Sequence, residues 1–117
     1  MELNQKQIET LKKQIIDGED LKKVLNQFPN AEIAIIMGWD RYSYESYVKD
    51  AYFSKKRAKE IMDKIPPNGT PDLSDIYHII IVKTKELNQE KIKHGTDTLD
   101  EIHIKFVYEY LEKALKD

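Results

Sequence analysis

Lys55, Lys56, Arg57 and Lys59 place four cations within five residues, the densest positive run in the chain and one suited to phosphate oxygens. The plainer reading of such a run is a solvated helix face. Other residue types capable of chemistry are thinly spread. His78, His94 and His103 lack the mutual spacing of metal ligands and read as surface or core-edge histidines. Asp97, Asp100 and Glu101 are close together, but they stand where a helix is expected to begin, and acids there favour the helix dipole. A glycine-rich phosphate loop, an HExxH zinc pattern and a paired nucleophile and base are all missing. With no cysteine, thiolate metal sites, disulfides and cysteine nucleophiles are excluded. The chain is therefore not expected to be an enzyme, and no metal or cofactor is expected.

Those groups must be carried by a single small domain, since 117 residues leave little room for a second core. Lys and Arg number 19 against 21 Asp and Glu, a net charge of -2. Residues 20–71 are the only positive third, with 9 basic and 7 acidic side chains for a net of +2. Any nucleic-acid reading must rest on local charge. No apolar stretch approaches the roughly 20 residues of a membrane span, so no membrane partner is expected. The start of the chain alternates apolar and charged residues without the apolar core of a secretory signal, which points to the cytoplasm.

Glycine and proline divide the chain into helix-length pieces. Asn4 with Gln7 fits a capping box, Ile8, Leu11 and Ile15 share a face, and Gly18 closes this first helix. A short helix is predicted from Asp20 to Phe28, ended by Pro29. Tyr44, Val48, Ala51, Ala58, Met62 and Ile65 suit one long helix, with a possible break near Ser54. The Pro-rich segment 66–71 is the clearest linker. Thr70-Pro71-Asp72 is a good helix start, and Gly95 would end that helix. Ile76 to Val82 is β-branched enough to be a strand instead. For the last helix, Thr98 and Glu101 form a capping box, with Ile102, Phe106, Tyr110 and Ala114 down one stripe flanked by Leu99, Val107 and Leu111. The predicted fold is all-α with five or six helices: a bundle over 1–65, the linker, and a two-helix hairpin over 72–117.

Residues 32–49 read Glu-Ile-Ala-Ile-Ile-Met-Gly-Trp-Asp-Arg-Tyr-Ser-Tyr-Glu-Ser-Tyr-Val-Lys. Ala34 is small where two helices would cross, and Gly38 can take the positive φ of a tight turn. Ile33, Met37, Trp39, Tyr44, Tyr47 and Val48 supply apolar packing, and Asp40 can cap the second helix. Together these features resemble the helix-turn-helix of DNA-binding regulators. The resemblance implies a second helix in a major groove presenting Arg41, Tyr42, Ser43, Glu45, Ser46 and Lys49. It implies guanine contact by Arg41, cytosine contact by Glu45, and base or phosphate contact by Tyr42 and Ser43. Lys55, Lys56, Arg57 and Lys59 would touch the phosphate backbone. Tyr44 and Tyr47 read as core, while Tyr42 and Tyr52 are open between core and surface.

The leading expectation is a sequence-specific double-stranded DNA-binding protein, a transcriptional regulator that forms a homodimer through residues 72–117. Glu32, Glu45 and Asp50 put negative charge near the proposed groove face, and Tyr42, Tyr44, Tyr47, Tyr52 and Phe53 make it unusually aromatic. Both features suit a protein partner equally. The alternatives are a protein-interaction module, such as a phage or mobile-element inhibitor of a host protein, and a DNA-recognition subunit of a larger phage complex.

Overall fold

Every side chain from Ile33 to Trp39 is apolar or glycine, with three isoleucines among them. Such a run has no polar side to offer water, which suits a strand covered on both faces. The computed structural model describes residues 1–70 and 72–116 and folds the run in that way. β1 (Glu32–Asp40) is the middle of a three-stranded antiparallel sheet, between β2 (Glu45–Tyr52) and β3 (Ile76–Lys83). Its side chains from Ile33 to Met37 are all buried.

Alternation sorts the sheet into two faces. On the first, Ile35 lies between Ala51 and Ile80, Met37 between Val48 and His78, and Trp39 between Ser46 and Ile76. On the second, Ala34 lies between Tyr52 and Ile81, Ile36 between Asp50 and Ile79, and Gly38 between Tyr47 and Tyr77. The β1–β2 register slips between Ile36 and Met37, leaving Lys49 as an unpaired bulge residue on β2.

Helices cover both faces. α1 (Gln5–Ile16), α2 (Leu21–Val24) and α4 (Glu101–Lys116) cover the first, burying Leu11, Ile15, Leu21, Val24, Val107 and Leu111. α3 (Lys55–Asp63) covers the second with Ala58, Ile61 and Met62. A second hairpin, β4 (Lys91–His94) and β5 (Asp97–Asp100), leads into α4 and sends Ile92 and Leu99 into the first core. The two halves of the chain are tied where Thr84 Oγ1 donates to the Phe28 carbonyl and Lys85 N donates to the Pro29 carbonyl at 2.9 Å. Among the described residues, no helix is long and apolar enough to cross a membrane.

Several local signals act as read. Asn4 and Gln7 form the reciprocal capping box of α1, both bonds at 2.9 Å, and Gly18 follows that helix at φ 91°. The helix expected from Asp20 to Phe28 is shorter: Asp20 caps α2, and the chain passes into a 3₁₀ turn over Leu25–Gln27.

The all-α expectation is overturned: the described residues form four α-helices and five strands in two antiparallel sheets. Residues 32–49 are β1, a tight turn and most of β2, not a helix-turn-helix. An apolar run buried on both sides has no period of its own, so it can be fitted to a helix or a strand. The expected helix from Tyr44 to Ile65 is β2 followed by α3, with the break made by Ser54 as α3's cap. The expected helical hairpin over 72–117 is β3, a 3₁₀ turn, the β4–β5 hairpin and α4. Pro71 of its expected helix start lies outside the described residues. Gly95, at φ 62°, turns the β4–β5 hairpin and ends no helix. Thr98 lies in β5, and Asp100 caps α4 through the amides of Ile102 and His103. The buried stripe of α4 is Ile104, Val107, Leu111 and Leu115, while Ile102 is 65% exposed and Phe106 42%.

Gly38 takes no positive φ either. Its missing side chain makes room for the Tyr47 ring, which a Cβ at position 38 would penetrate. That ring cannot swing clear freely, because its hydroxyl donates to Asp75 Oδ2 at 2.5 Å and lies 3.4 Å from the Tyr77 hydroxyl. Gly38→Ala should therefore destabilise the fold by about 1–3 kcal/mol in urea titrations. In a Tyr47→Val background most of that loss should vanish; an equal loss in both backgrounds would show that the ring is not the obstacle.

Candidate functional site

Asp40 builds the turn that joins β1 to β2. Its Oδ1 accepts from the amides of Tyr42 at 2.8 Å and Ser43 at 3.3 Å, and its carbonyl accepts from Tyr44 N at 2.8 Å. The Tyr42 amide first, then that of Ser43, holds the Asp40 carboxyl below the usual carboxylate range. This carboxylate was expected to cap a helix; it caps a hairpin turn by the same chemistry.

Closing the turn forces Tyr44 to φ 58°, the left-handed region that costs a non-glycine residue roughly 1–2 kcal/mol. Tyr44 is 75% exposed and Tyr42 68%, which corrects the expectation that Tyr44 is core. The Trp39 ring stands 6.0 Å from that of Tyr44, tilted by 49°. The hairpin tip is thus an aromatic prominence on a fixed turn.

Beside the tip lies an open cleft of about 440 Å³, lined by Trp39, Tyr44, Ser46, Ile76, His78, Thr96 and Asp97. It continues past Glu45, Thr98 and His103. β1, β2 and β3 contribute the floor, and the β4–β5 turn forms the far wall. Asp97 is buried there, with its Oδ2 2.7 Å from His78 Nε2, so the imidazole is held at the cleft margin. His103 Nδ1 lies 3.3 Å from Asp100 Oδ1.

Ser46 and His78 sit on the two outer strands with β1 between them. Two strand spacings are about 10 Å, too far for His78 to take the Ser46 proton. The site offers binding surface: aromatic area for burial, ringed by hydroxyls, imidazoles and a carboxylate. A second groove, between α4 and the 3₁₀ turn over Thr84–Asn88, carries opposed charges (Lys22 and Lys105 against Glu90 and Glu101) and one half-buried ring, Tyr108.

The residues expected to read DNA do not share one face. Arg41, Tyr42 and Ser43 are in the turn; Glu45, Ser46 and Lys49 are on β2. Arg41 directs Nη1 to the Asp72 carbonyl at 2.6 Å. Ser46 faces the α1–α4 side of the sheet, whereas Lys55, Lys56, Arg57 and Lys59 are on α3 across it. Arg57 pairs with Glu60 at 3.7 Å and Lys59 with Asp63 at 3.9 Å.

Trp39, Tyr44, His78, Thr96 and Asp97 were not read as one site. They come from four separate segments, and no spacing links them. The one available signal was the strand alternative for Ile76 to Val82, which puts His78 on the same face as Ile80 and Val82.

The turn makes a testable pH statement. A depressed folded-state pKa gives stabilisation that is complete above the unfolded value of about 3.9 and lost as pH falls through the folded one. The amide resonances of Tyr42 and Ser43 should therefore shift together with a midpoint below about 3.9. A midpoint at or above that value would mean that the Asp40 bonds do not hold the turn. Comparison with family models, with curated proteins and with solved structures returns no match.

Proposed function

We propose that this chain is a protein-interaction module that grips a protein partner with the aromatic tip of the β1–β2 hairpin and the cleft beside it. The observation that carries this reading is Tyr44. A large ring is kept in a strained left-handed conformation that glycine or asparagine would adopt at lower cost, and it is left three-quarters exposed. Propensity does not account for it, and the tilted contact with Trp39 leaves most of the residue in solvent. Tyr42 and Trp39 widen the same prominence, and tyrosine and tryptophan are the side chains most enriched at binding hot spots. Ser46, Thr96, Thr98 and the two histidines supply the polar rim that surrounds such anchors.

Charge favours a protein over a nucleic acid. The chain is net acidic, Arg41 is held by a backbone carbonyl, and two of the four cations on α3 are paired with acids on the same helix. The groove-reading helix on which the DNA expectation depended is a β-hairpin.

The test is a photo-crosslinking amino acid placed at position 42 in the source cell, with position 56 on α3 as the control. Position 42 should give a discrete adduct with one polypeptide. Tyr44→Gly should leave stability within about 1 kcal/mol, since relief of strain offsets the lost contact with Trp39. It should nevertheless weaken partner binding about 30-fold, the loss typical of a hot-spot residue. No adduct from position 42, or nucleic-acid adducts from position 56, would overturn the proposal.

A further inference from the structure

The two edges of the main sheet are treated differently. β2 carries the Lys49 bulge, a device that stops another strand from adding on. β3 has none. Over Ile76–Val82 it holds no Asp, Glu, Lys or Arg, no proline and no bulge. Among the described residues no strand pairs with its outer flank. Ile76 is 41% exposed, and Tyr77, Ile79 and Ile81 remain only half-buried although α3 packs beside them. A straight, seven-residue edge without a charged acid or base is a template for another strand.

On the α3 face the side chains run Tyr77, Ile79, Ile81 and Lys83 along β3, with Asp75, one residue before the strand, extending the order through a carboxylate that also accepts from the Tyr47 hydroxyl: an acid, three apolar residues, a base. This order is complementary to its own reverse. We infer that β3 pairs antiparallel with β3 of a second copy, centred on Ile79, so that two chains share one six-stranded sheet. The symmetry selects this register. A two-fold axis relating antiparallel neighbours stands perpendicular to the sheet and keeps each face on its own side, so only same-face residues can lie opposite one another. Centred on Ile79, Ile79 meets Ile79, Tyr77 meets Ile81, and Lys83 meets Asp75 at both ends of the ladder. Shifting the centre to Ile80 removes both charge pairs. The aromatic tips fall at opposite ends of the shared sheet, free of the interface, so this inference stands whether or not the tip binds a partner.

The absence of cysteine makes the register directly readable. Directly opposite residues have Cβ atoms about 4.5–5.5 Å apart, close enough for a disulfide after small adjustment. The full chain should sediment at twice 13.8 kDa at micromolar concentration. Ile79→Cys should crosslink to itself on mild oxidation. Tyr77→Cys should crosslink with Ile81→Cys in a mixture, while neither does so alone. Ile79→Lys, which sets two like charges face to face, should give a folded monomer by circular dichroism and sedimentation. Should that variant fail to fold, Lys83→Glu on the surface serves instead, and should weaken the dimer at least about fivefold. A wild-type monomer at these concentrations overturns the inference, even if an extended peptide from another protein occupies the edge. So does Ile79→Cys crosslinking no faster than a Lys56→Cys control, or a dimer that crosslinks through Phe106→Cys on α4.

Discussion

The fold depends on one constraint: β1 must be kept from water on both faces at once. Five consecutive side chains, Ile33 to Met37, are buried, and each large one is worth about 1.5–3 kcal/mol only if something covers it. Backbone amides and carbonyls in such a strand have no water to turn to, so a strand is needed on each flank. Side chains on alternate faces require a helical layer above and another below. The long excursion from β2 through α3 to β3, and the return of α4 to the N-terminal helices, follow from that demand. The N-terminal helices add little to the sheet's pairing; they pack with α4 in the core that covers Ile33, Ile35 and Met37.

The first helix was legible at both ends, because Asn4 with Gln7 and Gly18 signal through atoms within four residues. The equally local caps Ser54 and Asp100 were not, since the elements before them were taken for helix. β1 itself was illegible. A strand buried on both faces loses the period of two by which strands are found, and Ala34, Gly38 and Asp40 then fall by chance on a helix-turn-helix spacing. Each of the three has a purpose that the sequence does not declare. Ala34 sits beneath α3, Gly38 makes space for a tyrosine from the next strand, and Asp40 caps a turn whose chain continues as a strand. The amphipathic reading of α4 failed more narrowly. Ile102, Ile104, Phe106, Val107, Tyr110 and Leu111 spread apolar character around most of the helix, and only the sheet it packs on decides which arc is buried.

The cleft was illegible in a further sense, because it exists only through topology. Trp39 and Tyr44 flank one turn, His78 enters beside them through the β1–β3 ladder, and Asp97 is brought in by a separate hairpin. None of these residues is unusual in its own segment. Tyr44 is the exception, and its signal is conformational: the strain is invisible until the turn is closed by the Asp40 bonds.

Two features of this molecule go against rules that the rest of the chain obeys. The β1–β2 turn gives a left-handed position to tyrosine, and the sheet leaves β3 without the protection given to β2. Elsewhere the described residues are consistent: helices are capped, the left-handed positions at 18, 69 and 95 are glycines, and the β2 edge is bulged. A sequence that handles three left-handed positions with glycine was not short of the means to handle a fourth. A sheet that guards one edge with a bulge was equally able to guard the other. Local departures within a consistent framework are where selection for contact, as opposed to stability, leaves its mark. On that argument we propose the tip and the β3 edge as two contact surfaces, independent of each other: one is a strained turn, the other an unguarded ladder.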